Sequence, residues 1–484
     1  MKKNKLVLNF IYQFAYQLLT VLTPLITTPY IARVLGPENN GIYTYTFSTV
    51  NYFVVFASLG IEAYGNRLIA QSKTKEKNDL NQSFTSLFWM HFIVSFFVFI
   101  LYFLFVAFFV RNYKKILIIQ SIWLFASIID INWLFFGLEE FKLTVTRNVV
   151  VKIITTVCVF LFVRSEADLW IYTLIMGLGT LISNLILWAF IKQRIRFVKV
   201  RFKEIIMHMR PLAILFLAVV ATSVYRMMDK LMLGWYGAIV SLASYEYADK
   251  MIRLVITIIT ALGTVMLPRM SSLYAEGKND TAMIYMNSTS QFMFSVAFAL
   301  AFGLASISDE FMPLLLGPGY SESVILVKIL CISLPVMGWN NLVRTQILMP
   351  KEKDRVYTIA VWAGAITNII FNSILIQKYG ARGAAVSTVI SYSVVSFFQT
   401  FPIRNDFPIA MYLCHTIIPI ISGSVMFFTI KCIGTKIPKG VFGLSTKIVI
   451  GAVIYVTINL FILIKTKNRV LLDLINKTSK VNQK

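Results

Sequence analysis

Charged side chains are scarce in this 484-residue chain, 14% of all residues, where soluble domains carry about 25%. Acid is scarcer still: 22 Asp and Glu stand against 46 Lys and Arg, a formal net charge of +24. The first shortage excludes an ordinary soluble protein. With 57% hydrophobic residues and a mean hydropathy of +0.73, apolar runs of about 20 residues, the length that crosses about 30 Å of hydrocarbon, follow one another from end to end. The second shortage does not point to nucleic acid, because the basic residues sit mostly in short connectors between apolar runs. Histidine is nearly absent: His91, His208 and His415 are isolated, which leaves no metal-ligand set and suits packing or surface roles. The four cysteines, Cys158, Cys331, Cys414 and Cys432, are scattered inside apolar runs without the spacing of a metal site or a disulfide framework. No GxxxxGK[ST] loop occurs, so ATP is not the direct energy source. No connector is long enough to form a catalytic domain.

What is present is a run of predicted helices. Barrel strands would alternate over about ten residues, whereas these runs are unbroken, and a helix pairs its own backbone groups as lipid demands. The pattern predicts an all-α polytopic membrane protein of about fourteen spans. Their centres fall near residues 20, 55, 95, 125, 152, 180, 222, 255, 296, 335, 366, 390, 420 and 454. MKKNK leads into the first run with no A-x-A-like cleavage site, so an uncleaved first transmembrane helix is expected. With a cytoplasmic N-terminus, 27 of the 46 Lys and Arg fall inside, including KTKEK, Lys142 and Arg147; ten fall outside and nine within spans. That excess obeys the positive-inside rule, and an even span count places the C-terminus inside as well. The fit is poorest after residue 430, where Lys431, Lys436, Lys439 and Lys447 crowd an outside loop.

The longest inside connector carries seven basic residues between 192 and 210. It divides the chain into a six-helix lobe over 1–198, a basic linker over 199–210, a second six-helix lobe over 211–402, and two further helices with a basic tail over 403–484. IRFVKVRFKEIIMHM mixes basic and apolar residues, so it reads equally as an amphipathic helix on the membrane surface or as a charged connector. Gly36 and Gly234, Gly60 and Gly263, and Arg67 and Arg269 recur at offsets of 198, 203 and 202 residues. Repeats of the same span parity are parallel, related by an axis along the membrane normal.

Polar residues inside the spans lie on continuous faces. In SVYRMMDKLMLG, Arg226, Asp229 and Lys230 share one side of a helix, continued by Thr222. In SYEYADKMIRLVITIIT, Glu246, Asp249, Lys250 and Arg253 follow i, i+3, i+4, i+7, extended by Thr257 and Thr260. The first span aligns Gln13, Gln17, Thr20, Pro24 and Thr27, and the second Thr44, Ser48, Asn51, Ser58, Glu62 and Asn66. Asn340, Asn341 and Arg344 mark the tenth span, Asp130 the fourth and Lys152 the fifth. A charge at the bilayer centre costs about 2.5–3.5 kcal/mol on the mildest scale. Nine basic residues facing lipid would cost on the order of 25 kcal/mol, more than the 5–15 kcal/mol that holds a typical protein together. Arg33, Arg67 and Lys328 sit near span ends and can snorkel; the others must line a hydrated cavity or pair with acid. Glu62, Asp130, Asp229, Glu246 and Asp249 are too few to neutralise nine cations, and the surplus suits an anionic substrate such as a diphosphate. For any single residue the alternative is a salt bridge that locks helices together, foremost Asp229 with Arg226 or Lys230.

TPLITTPYIARVLGPENNGIYTYTFSTVNYFVVFASLGIEAYGNRLIA resembles the opening of the Wzx-type polysaccharide flippases, members of the multidrug/oligosaccharidyl-lipid/polysaccharide exporter superfamily. YRMMDKLMLG resembles their seventh-helix motif, DINWLFFGLEEFK their fourth-helix end and KYGARGAAVSTVISY the start of their twelfth helix. The resemblance covers about residues 10–400 and leaves the last two spans unmatched. It implies two six-helix lobes around a central cavity, in a bacterial inner-membrane protein that works as a monomer. Its implied task is to flip undecaprenyl-diphosphate-linked oligosaccharide repeat units outward, ahead of a polymerase and chain-length proteins, for capsule, O-antigen or exopolysaccharide. No cofactor is implied beyond coupling to a proton or sodium gradient. Carried onto this chain, the cations for the head group are Arg226, Lys230, Lys250, Arg253 and Arg344, and Asp229 is an orienting or coupling acid. Glu62 and Asp130 join as candidate coupling acids because they are expected to be buried, with Glu246 and Asp249 beside the cations. Tyr43, Tyr45, Tyr225, Tyr245 and Tyr247 suit a sugar-binding lumen. The lipid tail can stay in the bilayer through a gap between lobes that rock about a fixed site. Pro24, Pro29, Pro211, Pro268, Pro313 and Pro335 would hinge or kink the spans.

Two other functions fit the spans less well. A cation-coupled drug exporter of the same fold would want an acidic or apolar cavity. A membrane polymerase or glycosyltransferase would want a large loop or domain with clustered acids.

Overall fold

The computed structural model describes the backbone of residues 2–73 and 77–465, and the side chains of 23–73, 78–217 and 219–461. The side chains of Gln13, Gln17 and Thr20 of the first polar face, the middle of KTKEK and the basic tail beyond 465 lie outside what is described. Among the described residues the secondary structure is α-helix with short 3₁₀ and π turns and no strand. By internal contacts the chain forms two compact units, Met1–Ala243 and Ser244–Lys484.

The first unit contains α1 (Lys2–Ser58), α2 (Ile61–Ser72), α3 (Lys77–Phe108), α4 (Lys114–Ile128), α5 (Asn132–Gly137), α6 (Phe141–Phe162), α7 (Leu169–Ala189), α8 (Phe202–Ile206) and α9 (Met209–Trp235). α1 is two helices joined at Gly36, whose φ of 71° and ψ of 172° leave helical geometry. The cause is local. Gly36 takes the left-handed φ that other side chains avoid, and Pro37 lacks the N–H that a new first turn would leave unbonded anyway. Asn40 closes the break by donating its Nδ2 to the Ile31 carbonyl at 3.1 Å and the Gly36 carbonyl at 2.7 Å. α1 packs on α3, α4, α6 and α9, and α7 packs on α4 and α6. Ile69, Phe84, Trp133, Phe135, Leu187 and Leu212 form an apolar core where α2, α3, α5, α7 and α9 meet. Gly65 lets the Trp133 ring reach the α2 backbone: a β-carbon there would stand 2.8 Å from the ring, the close approach that small residues allow between membrane helices.

The second unit is built from α10 (Ile239–Ala275, whose first residues belong to the first unit), α11 (Asn279–Leu316), α12 (Glu322–Cys331), α13 (Ser333–Val343), a π turn at Arg344–Leu348, α14 (Asp354–Thr400), α15 (Ile409–Cys414), α16 (Ile417–Gly434) and α17 (Val441–Lys465). α14 breaks at Gly380, where φ is 56°. α11 packs on α12, α13, α16 and α17. Asp309 and Glu310 on α11 answer the crowding of basic residues after 430. Lys328 Nζ bonds Asp309 at 2.6 Å, Lys431 bonds the other Asp309 oxygen, and Lys447 bonds Glu310. The Gly440 N–H donates to Glu310 at 2.8 Å.

Ten segments among the described residues are long and apolar enough to cross a membrane, or up to twelve if each of two bent pairs counts as one span. Two of the ten, Thr23–Ser72 and Asp354–Ile403, are 50 residues long and contain the breaks at Gly36 and Gly380. Each has length for two crossings of about 30 Å at 1.5 Å per residue, and the expected fourteen spans require that each crosses twice. Large apolar side chains face outward along these helices, among them Phe97 at 59%, Ile258 at 60% and Phe428 at 65% exposure. Exposed apolar surface on this scale needs lipid to cover it; the chain is a multi-pass membrane protein.

Candidate functional site

In the first unit, α2, α4, α5, α6 and α7 enclose a cavity of about 660 Å³. Glu62, Asp130, Arg147 and Lys152 bring two carboxylates and two cations to its wall, with the amides of Asn132, Asn148 and Asn184 between them. The turn between α4 and α5 positions the acid. Asp130 Oδ1 accepts the Asn132 backbone N–H at 2.8 Å and the Asn132 side-chain amide at 2.6 Å. Asn132 Oδ1 in turn accepts from Arg147 Nη2 at 2.8 Å, so one amide links carboxylate to guanidinium. Arg147 also donates to the Ser183 carbonyl at 2.9 Å and to Asn148 Oδ1 at 2.6 Å, and Asn184 Nδ2 donates to the Ala126 carbonyl at 2.8 Å. This polar chain crosses four helices. A buried network of this kind holds its helices firmly when its members are satisfied.

Arg147 corrects the sequence reading, which places it in an inside connector. It lies in the second turn of α6, 6% exposed, on the cavity wall. The signal for it was the face made by Asn148, Lys152 and Thr155 at i, i+4, i+7, all of which line the cavity. Asp130 is half-buried on the cavity wall. Glu62 lies on an exposed position in the first turn of α2 and lines the cavity mouth, so the expectation that it is enclosed does not describe it.

The face of α9 that prompted the charge argument is also in the first unit. Asp229 and Lys230 are buried, at 3% and 8% exposure, while Arg226, one turn earlier, is exposed. α9 is seated on α1 near these charges: Tyr52 OH donates to the Ser223 carbonyl at 3.4 Å, and Asn51 Nδ2 approaches Met227 Sδ at 3.0 Å. A β-carbon at Gly234 would collide with the Tyr45 ring at 2.0 Å.

In the second unit, α10 carries Glu246, Asp249, Lys250 and Arg253 within two turns. Arg253 Nε bonds Asp249 Oδ2 at 2.8 Å, an i, i+4 pair. Lys250 Nζ stands 5.7 Å from the centre of the Tyr247 ring, and the Arg344 guanidinium 5.8 Å from that of Tyr357. Among the described residues no carboxylate pairs with Arg344. Tyr245 is fixed by a 2.9 Å hydrogen bond with Thr388 on α14. The five proposed cations thus divide between the units, Arg226 and Lys230 in the first and Lys250, Arg253 and Arg344 in the second.

The family model described as "Polysaccharide biosynthesis protein" matches residues 6–274, and the MatE model matches residues 214–374. Two curated proteins named "Putative O-antigen transporter" are each 24% identical to this chain. The one from Shigella dysenteriae aligns over 404 residues, 82% of this chain and 99% of its own length. The one from Escherichia coli (strain K12) aligns over 419 residues, 84% and 99%. Among solved structures, lipid II flippase MurJ in an inward closed conformation superposes with a TM-score of 0.78 at 15% identity, covering 96% of this chain and 100% of its own. An inward-facing multidrug resistance MATE family transporter of the MOP superfamily superposes with a TM-score of 0.58 at 14% identity, covering 83% and 98%. At these identities the likeness to the two structures is one of fold.

Proposed function

The chain belongs to the polysaccharide biosynthesis protein family, and from that premise we propose that it is a flippase. It carries undecaprenyl-diphosphate-linked oligosaccharide repeat units from the cytoplasmic to the outer leaflet for capsule, O-antigen or exopolysaccharide assembly. It resides in a bacterial inner membrane with both termini in the cytoplasm and hands its product to a polymerase and chain-length proteins.

The observation that carries this reading is the set of cations on helices that otherwise face lipid. A diphosphate leaving water must find replacement donors, and guanidinium and ammonium groups supply charge-assisted hydrogen bonds. Each unit offers such groups: Arg226 and Lys230 from α9, Lys250 and Arg253 from α10, and Arg344 from the π turn. Asp249 orients Arg253 through their ion pair. Asp229 and Glu246 orient the neighbouring cations. Asp130 and Glu62, at one wet cavity, couple transport to a proton or sodium gradient. The decisive experiment replaces Arg226 or Arg253 with Ala in cells that depend on this protein. Surface polysaccharide is expected to disappear while the variant still accumulates in the membrane, and normal polysaccharide with both variants would overturn the assignment.

A second reading, export of drugs, draws on the match of residues 214–374 to the MatE model. Cationic drugs would meet repulsion from the same side chains. Drug resistance that rises with expression, with polysaccharide unchanged, would favour it.

A further inference from the structure

The connector from α7 to α9 is fastened along one side and bare along the other. On the fastened side, Arg194 Nε bonds both Glu140 oxygens, at 2.9 and 2.7 Å. Ile195 is buried, and the Arg196 backbone N–H donates to Asn81 Oδ1 at 2.9 Å. Phe197 meets Phe84 and Phe88 edge-on, each at 5.6 Å. His208 is 3% exposed and bridges Tyr64 OH and Ser86 Oγ, each at 2.9 Å.

On the bare side the chemistry is two-fold. Phe202, Met207 and Ile206 are 68%, 63% and 48% exposed. Around them stand Arg196, Lys199, Arg201, Lys203 and Arg210, all exposed, and no described residue pairs with their side chains. The one acid of the segment, Glu204, is already engaged: its Oε2 accepts the Arg201 backbone N–H at 2.9 Å and caps α8. Beyond Pro211 the chain turns wholly apolar for ten residues.

We propose that this face is a binding surface for anionic phospholipid. Phe202, Ile206 and Met207 enter the acyl boundary, and the five cations take lipid phosphates. Two observations favour a bilayer over a soluble partner. The connector follows α7, which is long and apolar enough to cross a membrane, and leads into α9, part of a bent pair that passes the same test, so it lies where head groups begin. Its exposed side chains also combine large apolar groups with a cluster of cations, and a polybasic stretch beside a span is drawn to an anionic leaflet.

The test uses the full chain with its four native cysteines replaced by Ala, and a fluorophore on Met207→Cys. The protein is reconstituted in equimolar phosphatidylcholine and phosphatidylglycerol, with brominated acyl chains on one lipid or the other. Brominated phosphatidylglycerol is expected to quench about threefold or more beyond brominated phosphatidylcholine. High salt, and K199Q/R201Q/K203Q, should bring that ratio towards one. A label on Ile93→Cys, on the lipid face of α3, should show no preference in either protein. Phe202→Cys serves if Met207→Cys does not fold. Equal quenching by the two lipids at 202 or 207, or efficient quenching by aqueous iodide, would overturn the proposal; the iodide result would mean that the face is solvated or covered by a soluble partner.

Discussion

Arg147 shows what a single side chain does in a cavity that lipid surrounds. Its guanidinium gathers a main-chain carbonyl and two amides, and through Asn132 it faces the carboxylate of Asp130. Arg147→Ala would leave that acid without its counter-charge, and removing one member of a buried ionic network costs about 3–5 kcal/mol. A clear loss of melting temperature in detergent is expected, with Arg147→Lys intermediate because it keeps charge without the planar fork. Asp130→Asn should do the reverse: its oxygen still accepts from Asn132, so stability holds, while transport in vesicles stops responding to an imposed gradient. Retained gradient response would remove Asp130 from the coupling role. The residues of this network were only partly legible in the sequence. Polar faces on α1, α9 and α10 show as periodicity. Arg147 did not, because hydropathy at the edge of an apolar run cannot distinguish a loop cation from one whose partners lie 15 and 36 positions away.

Helix boundaries and helix ties make a second level. The break at Gly36 could be foreseen from Leu-Gly-Pro, since each residue has a stated backbone reason for its place. Gly36→Ala forces a left-handed φ on a side chain and puts a methyl 3.1 Å from Glu166 Oε1; a loss of about 1–2 kcal/mol is expected, measurable as a lowered melting temperature. The ties from α11 could not be foreseen, because Asp309 and Glu310 meet Lys431 and Lys447 across more than 120 positions. Lys447 is 8% exposed. Lys447→Met alone should therefore destabilise by about 3 kcal/mol, because Glu310 keeps the Gly440 N–H but loses its counter-charge, and the double variant with Glu310→Leu should recover most of it. Additive losses in that double-mutant cycle would show that the pair does not interact.

At the scale of the molecule, the composition was enough to predict a helical membrane protein, since nothing else accommodates so many apolar runs. The sequence separates spans near 20 and 55, and near 366 and 390, where the structure has two continuous 50-residue segments, each broken at a glycine. The linker was legible as basic but not as fastened: its anchors are Asn81, Tyr64 and Ser86 on distant helices and Glu140 just before α6. A chain ended after Thr400 should fail to accumulate, since it exposes Asp309 with Lys328 alone and Glu310 with neither Lys447 nor the Gly440 N–H. Adding Asp309→Asn and Glu310→Gln to the shortened chain should raise its membrane level, read by immunoblot. The final pair of helices is thus no detachable appendix. Acid on α11 and base on α16 and α17 form one inherited lot: a lineage that discarded the pair would come under pressure to neutralise positions 309 and 310 as well. Descent, and not only folding, should carry the mark of that bargain.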